Sequence, residues 1–246
     1  MTTVSALLQE VGLWGMAAAL AIVALGAMTQ FAIGMGLNLF SVGALALIHP
    51  ALSPGPVLVL SFVLSILASI TLRREIEGRL LAVSTAGLAI GSVIAVGLLI
   101  WLGAEGLPRA LGALILLGVA FSVAGFGCAV TTRNVLLATT AAGIMGAIAG
   151  THGAPVALLY QREDPRRVRA ALLPLFAIAN PLALAALAAA GLFGLREFVA
   201  SVLLLPGLLV GYLMAPGLIR LLPPAAVRAG LLAVSAISGL LLVIKG

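Results

Sequence analysis

Apolar residues run along this chain almost without relief, and its polar positions gather in short clusters between them. Apolar stretches occupy approximately residues 11–48, 57–72, 80–102, 110–130, 135–160, 168–192, 198–222 and 226–244. A helix needs about 20 residues to cross the ~30 Å hydrocarbon core of a bilayer. Backbone groups that meet no water there must be paired within their own segment. The pattern therefore predicts eight membrane segments, each mainly helical, in an all-α integral membrane protein.

Two of the eight are interrupted. The stretch 11–48 is too long for one span and contains Gly34-Met35-Gly36 followed by Asn38. The stretch 135–160 contains Gly150-Thr151-His152-Gly153 and Pro155. Each is expected to form a helix, a break at membrane depth and a second short helix. The glycines elsewhere echo one another: Gly87 and Gly91 followed by Gly97 match Gly207 and Gly211 followed by Gly217 at an offset of 120, Gly36 matches Gly153 at 117, and Arg109 matches Arg228 at 119. An ordered set of offsets close to half the chain points to an internal duplication, with a first membrane repeat over 1–123 and a second over 124–246 in one transporter domain.

Charge orients the segments. Arg73, Arg74 and Arg79 mark one loop as cytoplasmic, and Arg162, Arg166, Arg167 and Arg169 mark another. Both loops face the cytoplasm only if the broken segment 135–160 enters and returns on one side, as a hairpin. Ten Lys and Arg then lie inside and three (Arg109, Arg196, Lys245) outside, both termini face the periplasm, and the halves are inverted. Each repeat is one re-entrant hairpin plus three spans, an arrangement in which secondary transporters place their site at the midplane between broken helices.

Composition narrows the function. The chain is 63% apolar and 8% charged over 246 residues, so no soluble domain is left over. A net charge of +6 raises nucleic acid as a partner, but the arginines punctuate apolar runs instead of forming a stripe, which excludes it. No Lys or Arg precedes Arg73, so the start reads as a retained membrane segment and not as a secretory signal. The single cysteine, Cys128, has no partner for a disulfide or a metal and is expected to pack as a small residue. Neither a metal nor any other cofactor is expected. The partners are the bilayer and a small anion, and a homo-oligomer stays open.

All seven acids (Glu10, Glu75, Glu77, Glu105, Glu163, Asp164, Glu197) fall in loops or at segment ends, whereas a cation transporter keeps a carboxylate in its core. The core offers instead the backbone N–H groups of the breaks and the side chains Gln30, Asn38, Ser61, Ser65, Thr151, His152 and Asn180. Short helices starting near Asn38 and Pro155 present unpaired N–H groups and a partial positive charge, which favour an anion; proline costs nothing there because its missing N–H would be unpaired. The substrate-binding candidates are thus Gln30, Gly34, Gly36, Asn38, Thr151, His152, Gly153 and Pro155, with Ser61, Ser65 and Asn180 as walls. His152, which can titrate near neutral pH, is the candidate for proton coupling.

Plainer readings stand beside these. Serines in membrane helices often bond only the preceding turn, and Asn180 before Pro181 can serve backbone groups that the proline frees. Gly87/Gly91 and Gly207/Gly211 have the spacing of close helix packing. His49 reads as a loop residue, and Trp14, Trp101 and Tyr160 read as interface anchors. A passive anion channel is an alternative to a carrier. An integral-membrane enzyme is disfavoured by the absence of intramembrane acids and of a metal-ligand cluster.

Gln30-Phe31 with Gly34-Met35-Gly36-Leu37, Ser53-Pro54-Gly55-Pro56 before a helix, and the second-half run Gly150-Thr-His-Gly-Ala-Pro-Val-Ala-Leu-Leu-Tyr-Gln161 resemble the paired glycine motifs of the TauE/SafE sulfite exporter family, also called TSUP transporters. The first motif departs from the family's glycine triplet at Met35 and Asn38. The resemblance covers nearly the whole chain and implies proton-driven movement of sulfite, a sulfonate or a related sulfur anion across the inner membrane.

Overall fold

In a computed structural model, residues 3–34, 36–72, 77–124, 128–160, 165–221 and 224–245 are described. Among them there is no strand, and the helices follow in the order α1 (Thr3–Ile33), α2 (Leu37–Ile48), a 3-10 turn (Pro50–Leu52), α3 (Gly55–Leu72), α4 (Gly78–Val123), α5 (Thr132–Ala149), α6 (Gly153–Tyr160), α7 (Pro165–Ala189), α8 (Leu195–Leu221) and α9 (Pro224–Lys245). The arginine loops that orient the chain fall partly outside the described residues, at 73–76 and 161–164, as does Met35 of the first break.

Among the described residues, six segments are long and apolar enough to cross a membrane: Thr3–Phe31, Pro50–Ile70, Gly78–Gly103, Glu105–Val123, Arg167–Ala189 and Leu195–Gly217. Leu37–Ile48 and Ala229–Lys245 are apolar but shorter. This differs from the eight segments expected. The stretch 11–48 forms the helix, break and shorter helix expected of it, with residues 3–10 extending α1 at its start. Gly12, at φ 73° and ψ 163°, bends it. Gly103, at φ 62° and ψ −174°, divides α4 into two spans, and the second ends at Val123, short of the expected 110–130 limit.

Glycine spacing decides which helices touch. Gly87 and Gly91 of α4 lie against α5, and a Cβ at Gly91 would stand 2.9 Å from the Gly143 Cα. Gly207 and Gly211 of α8 lie in the same way against α1, where a Cβ at Gly211 would stand 2.9 Å from the Ala24 Cα. With no hydrophobic force to drive helices together in lipid, such backbone approach supplies the van der Waals contact that holds them. The long limb of each interrupted hairpin is thereby seated on a helix from the other half of the chain. α3 and α7 pack against each other between these pairs, and α4 also meets α9.

The apolar surface faces outward. Trp14 and Trp101 are among the most exposed side chains, at 86% and 81%, as interface anchors would be. Tyr160 is buried instead, packed with Leu159, Leu172 and Val156, so it is a core residue and not an anchor. Cys128 is exposed, contrary to its expected packing role. His49 is more than a loop residue: its Nδ1 accepts the Ala51 N–H at 3.2 Å and its Nε2 faces Glu10 at 3.3 Å, while Glu10 also pairs with Arg196. That cluster ties the starts of α1 and α8 to the turn after α2.

Candidate functional site

The first break follows the last turn of α1. Gly34 donates its N–H to the Gln30 carbonyl at 2.9 Å and then takes φ +89°, while Gly36 takes φ +138° and caps the start of α2, its carbonyl accepting the Phe40 N–H at 3.0 Å. The second follows α5. Gly150 is left-handed at φ +67° with its N–H on the Gly146 carbonyl at 2.8 Å, and α6 starts three residues later at Gly153. Pro155 lies in the first turn of α6, where the missing N–H leaves no gap in the helix ladder.

The two breaks meet. The open side of Gly150 faces Val42 Cγ2 at 3.0 Å and the Asn38 Cβ at 3.9 Å, both on α2. Gly118 of α4 is wedged against Leu39 of α2 and against Ala154 and Thr151 of the second hairpin. The N-terminal ends of α2 and α6 are thus gathered around one point, and each leaves its first-turn N–H groups without intrahelical partners.

Beside this point lies a buried polar cluster drawn from three helices. Gln30 of α1 donates from Nε2 to the Ser61 hydroxyl at 3.2 Å and to the Ser65 hydroxyl at 3.3 Å, both on α3. Asn180 of α7 donates from Nδ2 to the same Ser61 hydroxyl at 3.1 Å. All four side chains are buried. Gln30 Nε2 spends both of its N–H groups on the two serines, whereas Asn180 Nδ2 has one donor left after its bond to Ser61. Asn180 Oδ1 and Asn38 Oδ1 are buried without hydrogen-bond partners.

The candidates in the second break are arranged differently. The Thr151 hydroxyl donates to the Met145 carbonyl at 3.4 Å, so it closes the end of α5. His152 Nδ1 lies 3.3 Å from the Gly150 carbonyl, and its ring packs over Gly146 and near Phe176 of α7, with ring centroids 6.3 Å apart. The structure brings Gln30, Ser61, Ser65 and Asn180 into one network, sets Asn38 against Gly150, and leaves the Thr151 hydroxyl and His152 Nδ1 bonded to backbone within their own hairpin, with His152 Nε2 buried and without a hydrogen-bond partner.

One charged residue escapes a reading based on loop charge alone. Arg169 of α7 reaches back to the first break: its Cγ lies 3.0 Å from where a Gly34 Cβ would be, and its guanidinium stands over the Phe31 ring, 5.4 Å from the centroid. Ser69 of α3, one turn beyond Ser65, is likewise buried at Oγ with no partner. Arg169 precedes Asn180 by 11 residues, close to three helical turns, which puts both on one face of α7; that spacing was the available signal.

No Asp or Glu is buried among the described residues, and no group of three or more His, Cys, Asp or Glu stands together there. The site is lined by neutral donors, with one cation at its edge. A family model described as "Sulfite exporter TauE/SafE" matches residues 18–242. No curated protein and no solved structure matches the chain.

Proposed function

The chain belongs to the sulfite exporter TauE/SafE family, a family of multi-pass membrane exporters of sulfite and related anions, and from that premise we propose that it is a proton-coupled secondary transporter of a small sulfur-containing anion in the inner membrane. In this reading the chain is two inverted repeats, 1–123 and 124–246, working by alternating access. The observation that carries it is the buried Gln30–Ser61–Asn180 network beside two helix breaks that face each other. Neutral amide and hydroxyl donors can replace the water around an oxyanion without a full countercharge, and the lining holds no carboxylate to neutralise a cation.

Repeat symmetry is supported by the contacts. Ser61 and Asn180, joined by a hydrogen bond, are 119 residues apart, the offset that also separates Arg109 from Arg228. The two glycine seams exchange hairpins in the same sense, α4 of the first half holding α5 and α8 of the second holding α1. Residues related by a pseudo-two-fold axis touch where the axis passes, so α3 and α7 are the central pair. The anion is held there, by Gln30, Asn38 and the break N–H groups of Gly36, Thr151, His152 and Gly153, with Gly34, Ser61, Ser65, Pro155 and Asn180 shaping the walls. Rocking of the α1–α2 and α5–α6 hairpins about this pair opens the site to one side and then the other.

Flux into proteoliposomes tests the reading. With sulfite outside and an imposed proton gradient, the protein should concentrate the anion above its equilibrium level. Equilibration without concentration would make it a channel, and flux of alkali cations with no anion required would reject an anion site altogether.

A further inference from the structure

We propose that Arg169 is the charge-recognition residue for the transported oxyanion, engaging it beside the first break before it reaches the Gln30–Ser61–Asn180 network; this rests on the anion-transport reading above. Two arginines of the described chain hold carboxylates: Arg167 lies 3.3 Å from Glu77, and Arg196 pairs with Glu10. Arg169 has no acid partner among the described residues, its Nε is buried without a hydrogen bond, and its guanidinium stands over the face of Phe31. A guanidinium held by an aromatic face keeps its fork of N–H donors in a fixed plane and unspent. Such a fork matches two oxygens of one oxyanion, whereas an ammonium would act as a point charge.

The backbone is shaped around it. Gly34, at φ +89°, leaves no side chain between the break and α7, and an added Cβ there would stand 3.0 Å from Arg169 Cγ and 3.3 Å from its Cα. Inward from Arg169, Phe176 and Asn180 continue the same face of α7, and Ser69, Ser65 and Ser61 follow at four-residue steps along α3. Ser69 Oγ, a hydroxyl that can donate, is buried and unpartnered near the outer end of this track. A cation at the rim followed by neutral donors inside is an order that attracts an anion and then releases it, since the charge that captures it is not carried to the centre.

The experiment measures sulfite affinity of the purified full-length protein by calorimetry at fixed ionic strength, for the native chain, Arg169→Gln and Arg167→Gln. The expected outcome is a loss of about tenfold or more for Arg169→Gln, as befits a charge-assisted bidentate contact, with Arg167→Gln within about twofold of native. Equal affinity of the native and Arg169→Gln proteins overturns the proposal and leaves the transport reading standing. If the native protein binds none of sulfite, sulfate, thiosulfate, taurine and sulfoacetate, the transport reading falls and this inference with it. Should Arg169→Gln not fold, the native protein carries the test: saturating sulfite should lower modification of Arg169 by an arginine-specific dicarbonyl reagent, read by mass spectrometry, relative to that of the exposed Arg109 in the same sample, which corrects for reagent consumed by sulfite. Unchanged modification would overturn it.

Discussion

The two interrupted hairpins share a plan and divide its chemistry. In α1–α2 the polarity reaches outward: Gln30 crosses to Ser61 and Ser65 on α3, and Arg169 comes in from α7 over Phe31. In α5–α6 it turns inward, Thr151 closing on Met145 and His152 on Gly150. The returning limbs differ too, 12 residues in α2 against eight in α6. A buried polar group must be satisfied by something. The polar side chain of Gln30 reaches other helices, so the geometry of the first break depends on how those helices sit; the Thr151 hydroxyl and His152 Nδ1 bond within their own hairpin, and His152 Nε2 is buried there without a partner. The first hairpin is therefore the one whose site is remade when helices shift.

The most damaging change should separate the breaks by backbone alone. Gly36 is at φ +138° and ψ −41°, a conformation closed to L side chains, and a Cβ there would press on Thr29. Gly150 is at φ +67° and ψ 4°, in the left-handed well that other residues visit at a modest penalty. Gly36→Ala should lose about 3 kcal/mol through strain and overpacking, and Gly150→Ala about 1–2 kcal/mol. Thermal unfolding of the two variants in one detergent measures the order. A Gly150 variant at least as damaged as the Gly36 one would dissolve the distinction.

Next in size is the outward reach of the first hairpin. Gln30→Leu removes both serine contacts and leaves buried hydroxyls short of a partner, which should lower stability by about 1–3 kcal/mol and sulfite flux by about tenfold. Thr151→Val removes a single bond to a carbonyl in its own hairpin and should cost about 1 kcal/mol or less. Flux assays that find the Thr151 variant the more impaired would place the working donors in the second break.

What the sequence disclosed and what it hid divide along the same line. Glycine and proline acts are local, so Gly34, Gly36, Gly150 and Pro155 announced the breaks, and the apolar runs announced the helices. The extent of α1 was obscured because its first turns mix Leu7 and Leu8 with Gln9 and Glu10, a face pattern and not an uninterrupted run. Tyr160 lies at a segment end, which suggests an anchor, yet α7 folds back over it. The meeting of Asn38 with Gly150 joins residues from opposite halves, and no local pattern specifies it. Ser61 and Asn180 were separately visible, and their separation of 119 residues was the clue that they are partners. Arg169 was hidden by company, since a positive-inside count treats every arginine in a loop alike and only the helical phase with Asn180 sets it apart.

The smallest effect expected is also the one that bears most on coupling. His152 is buried in the second break with Nδ1 at the Gly150 carbonyl, and in the transport reading it is the residue that takes up a proton when the anion arrives. An anion nearby favours the charged imidazole, so occupancy and protonation should rise together. The plainer role is structural: Nδ1–H holds the Gly150 carbonyl, which a glutamine amide can also do. His152→Gln therefore keeps the donor and removes the titration. Sulfite affinity of both proteins is measured from about pH 5.5 to 8, a window around the ~6.5 of an unperturbed histidine. Coupling predicts that affinity in the native protein falls as pH rises through the range, and that the Gln variant has a flatter slope with a change of only about two- to threefold at any one pH. Parallel slopes in the two proteins would assign His152 to holding the break, and the proton would then travel with the anion itself.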